Sequence, residues 1–232
     1  MAKLTAEEMI AEMHLVVSVT LQVRDKICGG TPKHPDTIQK WIDSIIQDKS
    51  KVRELAEQAR RDMGVADLTD EQVAAMAKGS WNGFRSGADG LYIEARQVKA
   101  ALKEAADPVG KRFGVWALGK HIAERMFVQG REIYLGASQP AGYIEGTIHI
   151  EDRWGGAVAA LKRVDYVERP QLEFSVRLLD LPYVTSAASG RKSIAPVDML
   201  RALLHYGQDL GLGADRSQGQ GTYDVVSVAI NA

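Results

Sequence analysis

A single cysteine, Cys28, stands in a chain of 232 residues. That excludes an internal disulfide and a cysteine-built zinc site, and a lone thiol at a strand end reads as a small buried hydrophobe. No apolar run approaches the roughly 20 residues that span a bilayer. The opening Met1-Ala-Lys-Leu-Thr-Ala-Glu-Glu lacks the pattern of a secretory leader. Together these predict a cytoplasmic protein with no membrane partner. Neither sign of charge is in excess: 29 Lys and Arg against 30 Asp and Glu leave a formal net charge of −1. A surface coated for non-specific nucleic-acid binding is thereby disfavoured, and any nucleic-acid contact requires the basic residues to be gathered on one face. Aromatic residues are scarce at 6%, so most of them are needed in the core.

Signatures of catalysis are missing as well. There is no Gly-x-Ser-x-Gly nucleophile elbow and no Gly-Lys-Ser or Gly-Lys-Thr phosphate loop. The dinucleotide fingerprint needs a strand before it and a helix after it, whereas the glycine-rich stretch of this chain follows a helix and opens a strand. Five histidines, His14, His34, His121, His149 and His205, show no metal-ligand spacing, and each reads as structural. Asp36 reads as the N-cap of a helix, its side-chain oxygen satisfying an orphan backbone N–H. Asp25 has no partner legible in the sequence. No catalytic residue, metal or cofactor is assigned.

What is present begins near the end of the chain. Pro196 suits a first helical position, and Val197, Leu200, Leu203 and Leu204 form an apolar stripe ending at Gly207. Val225, Val226, Val228 and Ile230 carry the β-branched content of a closing strand. Between them lie Gly211, Gly213, Gly219 and Gly221, with Arg216-Ser217-Gln218 at the centre. Glycine allows positive φ and close backbone approach. A tight connection needing glycine for sterics and a loop gripping a phosphate both fit.

Earlier in the chain, Thr5-x-x-Glu8 reads as a capping box. His14 to Val23 alternates, with Leu15, Val17, Val19, Leu21 and Val23 on one face, and ends at Gly29-Gly30. Residues 35–78 read as three helices, an insertion spanning 33–80. Trp81 to Gly90 reads as a loop. Tyr92 and Ile93 lead into a helix on Ala95, Val98, Leu102 and Ala105 that ends at Asp107-Pro108. Its other face carries Arg96, Lys99 and Lys103, a row that fits a solvated face or a phosphate backbone. Glu124 to Leu135 reads as a hairpin turning at Gln129-Gly130, and Tyr143 to Ile150 as a strand broken by Arg153-Trp-Gly-Gly156. Ala157–Val167 and Leu172–Leu179 read as strands around Glu168-Arg169-Pro170. Pro182 to Ala195 is a polar loop with Arg191 and Lys192. Trp81, Phe84, Tyr92, Trp116 and Trp154 are candidates for stacking on unpaired bases. The order of elements is α+β, and without the insertion it maps onto a ferredoxin-like βαββαβ core with an elaborated central hairpin. No repeat or composition break divides the chain, which reads as one domain, 1–232.

Three of these segments carry a family resemblance: the loop Gly211-Leu-Gly-Ala-Asp-Arg-Ser-Gln-Gly-Gln-Gly221 between the last helix and last strand, the first strand ending in Gly29-Gly30, and the short strand entering the 95–106 helix. The chain resembles the repeat-associated mysterious protein (RAMP) superfamily of CRISPR systems, in ferredoxin-like or RNA-recognition-like form. The resemblance covers both ends and the 90–106 segment and says little of 33–80. It implies a backbone subunit that binds single-stranded guide RNA through phosphate contacts. It also implies packing against copies of itself or other effector subunits. The residues expected to touch nucleic acid are Gly211, Gly213, Arg216, Ser217 and Gly219, then Arg96, Lys99 and Lys103, then Arg191 and Lys192. Some members of the superfamily cut target RNA through an acidic residue after the first strand, a neighbourhood that here holds Asp25 and Asp36. Three other readings stay open: an RNA-processing endonuclease using one of His14, His34, His149 or His205, a stand-alone single-strand-binding protein, and an interaction protein using the 33–80 helices.

Overall fold

The computed structural model describes residues 13–33, 79–151, 157–186 and 190–231. The capping box at Thr5, the helices expected over 35–78 with His34 and Asp36, and the break at 153–156 with Trp154 lie outside these residues. In chain order the described elements begin with β1 (His14–Val23), β2 (Lys26–Cys28), β3 (Thr31–Pro32), β4 (Gly79–Gly83), β5 (Arg85–Gly87) and β6 (Gly90–Glu94). Three helices follow, α1 (Ala95–Glu104), α2 (Ala106–Phe113) and α3 (Leu118–Arg125), then β7 (Met126–Val128), β8 (Glu132–Tyr134), β9 (Gly142–Glu151), β10 (Ala157–Glu168) and β11 (Gln171–Leu179). The chain closes with β12 (Tyr183–Val184), β13 (Ser193–Ile194), α4 (Pro196–Gly207), a 3-10 turn at Arg216–Gln218 and β14 (Tyr223–Ile230). The fold is mixed α+β. None of the described helices is long and apolar enough to cross a membrane.

These elements group into two compact units. The first takes the stretch ending at Asp25, Glu94–Ile133, and the chain from Gln171 onward; the second takes Lys26–Ile93 and Tyr134–Pro170. Each unit is therefore assembled from separated stretches of a chain whose sequence reads as one domain.

In the first unit a four-stranded sheet runs in the order β14-β1-β11-β7, with every pairing antiparallel. Taken in chain order, its strands lie fourth, first, third, second. Among the described residues three helices lie between the first strand and the second, and α4 lies between the third and the fourth. The strict alternation of β1 places Val17, Val19, Leu21 and Val23 in the core. Val17, Val19 and Leu21 lie in register with Val176, Phe174 and Leu172 of β11. Val98, Leu102, Ile122, Leu200, Leu203 and Leu204 are among the buried residues the helices add. A fully buried residue such as Leu200 contributes about 2–5 kcal/mol, read as the cost of truncating it to Ala. β14 is less regular, because its register shifts between Thr20 and Leu21 of β1, leaving Val226 opposite no residue and 60% exposed.

Two expectations fail in this unit. The helix expected to end at Asp107-Pro108 ends at Glu104 and resumes at once as α2, with Pro108 in the first turn. Proline is tolerated there because no intrahelical N–H is required. α2 then stops at Gly114, in left-handed conformation with φ 70°, and Val115 N–H donates to the Gly110 carbonyl at 2.9 Å. The 124–135 hairpin does not form either. Glu124 belongs to α3, and β7 pairs with β11 across Val176–Val128 and Leu178–Met126. A three-residue strand alternates too briefly to reveal its partner. The polar loop over 182–195 contains the small β12–β13 ladder, with Tyr183 opposite Ile194.

In the second unit β10 is the central strand. It pairs antiparallel with β9 along most of its length, parallel with β4 over Leu161–Val164, and antiparallel with β2 over Tyr166–Glu168. The stretch expected as a loop, Trp81 to Gly90, is instead strand: β5 and β6 form a hairpin pairing Gly87 with Gly90. Gly90 accepts φ 105° at the two-residue turn. Short glycine-rich strands resemble loops in sequence, which is why the pattern misleads. Gly29 packs so closely on Gly83 that a Cβ would overlap the Gly83 carbonyl, giving the first glycine of the Gly29-Gly30 pair a steric reason.

A buried charge cluster holds this unit together. Asp165, 2% exposed, accepts from Trp81 Nε1 at 2.7 Å and lies 3.2 Å from Lys33 Nζ. Arg163 stacks between the rings of Trp81 and Tyr143, 4.1 and 3.7 Å from their centroids. Gly83 leaves the space the cluster occupies, since a Cβ there would meet Lys33 Cε and Asp165 Oδ2.

Candidate nucleic-acid interface

The glycine-rich connection between α4 and β14 is closed by backbone. Gly211 N–H donates to the Gly207 carbonyl at 3.1 Å, and Leu212 N–H to the Gly221 carbonyl at 2.9 Å. This pairing brings two chain segments into contact at Gly211 and Gly221, both at positive φ. A Cβ at Gly221 would overlap the Leu212 carbonyl oxygen, and one at Gly211 would lie 2.5 Å from the Gln220 carbonyl. Gly213 and Gly219 also have φ near 80°, but Gly219 faces open space. Two of the glycines thus serve close approach as well as conformation, and Gly219 serves conformation alone.

Both ends of the loop are tied down. Arg24, just past β1, donates from Nη1 to Asp209 at 2.7 Å and from Nε to Asp224 at 2.9 Å. The two carboxylates, Asp224 first, raise its pKa further above the ordinary arginine value. The Tyr223 hydroxyl donates to the Leu204 carbonyl at 3.0 Å, and burial pushes its pKa well above the usual tyrosine value. Gly207 makes room for it, as a Cβ there would lie 2.5 Å from the hydroxyl.

At the tip, Arg216, Ser217 and Gln218 form the 3-10 turn, with Ser217 and Gly219 exposed. Arg216 reaches back to α1, its Nη1 2.6 Å from Glu104 Oε2, and its side chain stays 34% exposed. The loop is therefore joined to the end of the same helix that carries the expected basic row.

That row divides by role. Arg96 is exposed and pairs with Glu94, its Nε 2.6 Å from Oε2. Lys99 turns inward and donates to the carbonyls of Ile122, Ala123 and Met126 at the end of α3. Burial, then the neighbouring Lys103, lowers its pKa. It places a cationic donor at the carbonyl-rich end of α3, where the Ile122 carbonyl also accepts from Met126 N–H. Arg96 and Lys99 line a cleft of about 450 Å³ together with Arg131 and Phe127. Lys103 points elsewhere, to the rim of a second cleft of about 530 Å³. Arg191 and Lys192 are exposed, and the segment just before β13 that carries them is held by Thr185, whose hydroxyl donates to the Gly190 carbonyl and accepts from Lys192 N–H.

Among the described residues the histidines fall on separate elements, His14 on β1, His121 on α3, His149 on β9 and His205 on α4. His205 Nδ1 lies 2.9 Å from Gln208 Oε1. His121 meets the Tyr183 ring edge-on at 6.0 Å, and burial lowers its pKa. Asp25 is exposed. Among the described residues no group of three His, Cys, Asp or Glu side chains is placed to hold a metal ion. Of the candidate stacking aromatics, Phe84 and Tyr92 are core residues, Trp81 is bound to Asp165, and Trp116 is 87% exposed. Sequence reasoning named Trp116 only as one of five, and a turn of glycines and cations around it was the available signal.

No family model matches the chain, and no curated protein matches it. Among solved structures, it is similar to a chain of the structure titled "Cryo-EM structure of the Type III-B Cmr-beta bound to cognate target RNA". The match has 10% identity and a TM-score of 0.40, covering 97% of this chain and 63% of that one. This chain thus spans just under two thirds of that chain's length, and a likeness at this score bears on neither mechanism nor site.

Proposed function

We propose that this protein binds single-stranded RNA through its phosphates, as a backbone subunit similar to the RAMP superfamily. In this reading residues 1–232 form one RAMP-like domain on a ferredoxin-like βαββαβ core, elaborated after the first strand and between the second and third. The sheet order of the first unit supports that core, with helices following its first and third strands. One observation carries the functional reading. The glycine-rich loop joining the last helix to the last strand of that sheet presents Arg216 and Ser217 at its tip, anchored at both ends. A rigid loop of this kind grips a backbone without reading bases, leaving the bases able to pair. In this reading Arg96, Lys103, Arg191 and Lys192 supply further phosphate contacts, and Lys99 orders the cleft that Arg96 lines. Packing against further copies or other subunits belongs to the same reading.

The test is the nucleic-acid content of the purified protein, followed by binding to a labelled single strand across a salt series. Co-purifying RNA and an affinity falling steeply with salt support the proposal, as does weakening by Arg216→Ala. A clean protein with no salt-dependent binding overturns it.

A further inference from the structure

The turn between α2 and α3 puts an indole into water and holds it there. Trp116 is 87% exposed, while Val115 and Leu118 on either side are buried. Gly114 and Ala117 bracket this turn at positive φ, 70° and 51°. An alanine in the left-handed region is strained by about 1–2 kcal/mol, and it persists only where the surroundings over-determine it. Here they do. Lys120 N–H donates to the Ala117 carbonyl at 3.0 Å, and Ser186 N–H donates to the Gly114 carbonyl at 2.6 Å.

The cleft beneath Trp116 has a volume of about 530 Å³, within the roughly 300–1,000 Å³ of small-molecule sites. Its floor is small and apolar, with Gly110, Gly114 and Gly119 in the lining. Its ionic groups are three lysines, Lys103, Lys111 and Lys120, and one carboxylate, Asp107. Lys111 pairs with Asp107 at 2.6 Å and Lys120 lies 3.9 Å from Glu124, whereas Lys103 has no ion-pair partner among the described residues. A chain of net charge −1 has thus gathered cations around the aromatic ring that is most exposed among the described residues. An exposed ring rimmed by cations matches a flat, apolar ligand carrying negative charge at its edge.

We infer that this cleft receives one unpaired base of a bound single strand, stacked on Trp116, with the flanking phosphates on Lys103 and Lys120. The inference rests on the RNA-binding reading and adds a base-contacting site to a surface otherwise built for phosphates. Every base has a π-face, so the contact is tolerant of sequence.

The experiment is fluorescence anisotropy of a labelled, unstructured 20-nucleotide RNA with the full chain at several salt concentrations. Trp116→Ala is expected to weaken binding about 10-fold with the salt slope unchanged, the loss typical of one stacked base. Trp116→Phe is expected to stay within about 3-fold of wild type. Lys103→Ala is expected to reduce the salt slope by about one. The RNA-induced quenching of tryptophan emission should diminish in Trp116→Phe. Because Trp116 is exposed, both variants are expected to keep the wild-type circular dichroism spectrum. Wild-type affinity in Trp116→Ala, alongside a loss in Arg216→Ala, overturns the base site while leaving the RNA-binding reading intact. Trp116-dependent self-association in sedimentation, with RNA binding unaffected, assigns the cleft to protein and also overturns it. Absence of RNA binding by the wild type removes both.

Discussion

Arg216 Nη1 and Glu104 Oε2 lie 2.6 Å apart, joining the tip of the glycine-rich loop to the end of α1 across 112 residues of sequence. The pair holds the guanidinium in place and also neutralises part of its charge. Glu104→Gln is expected to change stability by no more than about 1 kcal/mol, as for other partly exposed pairs. It should tighten RNA binding by releasing Arg216 toward phosphate. Anisotropy at low salt checks this, and an affinity unchanged in Glu104→Gln but reduced in Arg216→Ala would mean that the pair already presents the arginine fully.

Close approach and conformation separate at the glycines. Gly221→Ala combines positive φ with overlap on the Leu212 carbonyl and is expected to cost more than about 3 kcal/mol. Gly219→Ala meets open space and should cost about 1 kcal/mol through φ alone. Urea midpoints of the two variants decide, and equal losses would refute the steric account.

Lys99 is expected to act through structure. Lys99→Met removes the donor that serves the carbonyls of Ile122 and Met126, at a cost of about 1–3 kcal/mol. Its effect should register in thermal stability, with the salt slope of RNA binding retained. A lowered salt slope with an unchanged melting temperature would instead place a phosphate on Lys99.

Asp165 compensates a nearly buried ammonium. With Asp165→Ala, Lys33 and Trp81 Nε1 lose their partner, and breaking such a pair typically costs about 3–5 kcal/mol. Chemical denaturation followed by tryptophan fluorescence reads the loss, and a change below about 1 kcal/mol would show that Lys33 relaxes to water.

Alkaline pH offers a check on Tyr183, whose hydroxyl burial pushes up to about 12, against an opposing effect of Arg125. The unfolded value is about 10. A raised folded pKa means that the contribution is complete below about pH 10 and is lost as pH rises toward 12. Wild type should therefore lose stability across that window more steeply than Tyr183→Phe, by about 1–3 kcal/mol at its upper end. Parallel profiles in urea titrations at pH 9, 10 and 11 would exclude Tyr183 as the source.

The residues alone determined the elements whose periodicity is long. β1 and α4 were legible because ten alternating residues, and a twelve-residue stripe opened by Pro196 and closed by Gly207, each satisfy one period and no other. The glycines of the terminal loop were legible as a turn for the same local reason. Tertiary structure decided everything that depends on who sits beside whom. β7 is too short to announce its pairing with β11, and the Trp81–Gly90 strands hide in glycines. The Arg96, Lys99 and Lys103 row is a single stripe on a helix until neighbouring elements turn Lys99 onto α3 and send Lys103 to another cleft. The pairing of Arg216 with Glu104 and the exposure of Trp116 are long-range outcomes. Charge placement and burial are set by packing, and periodicity carries no record of them.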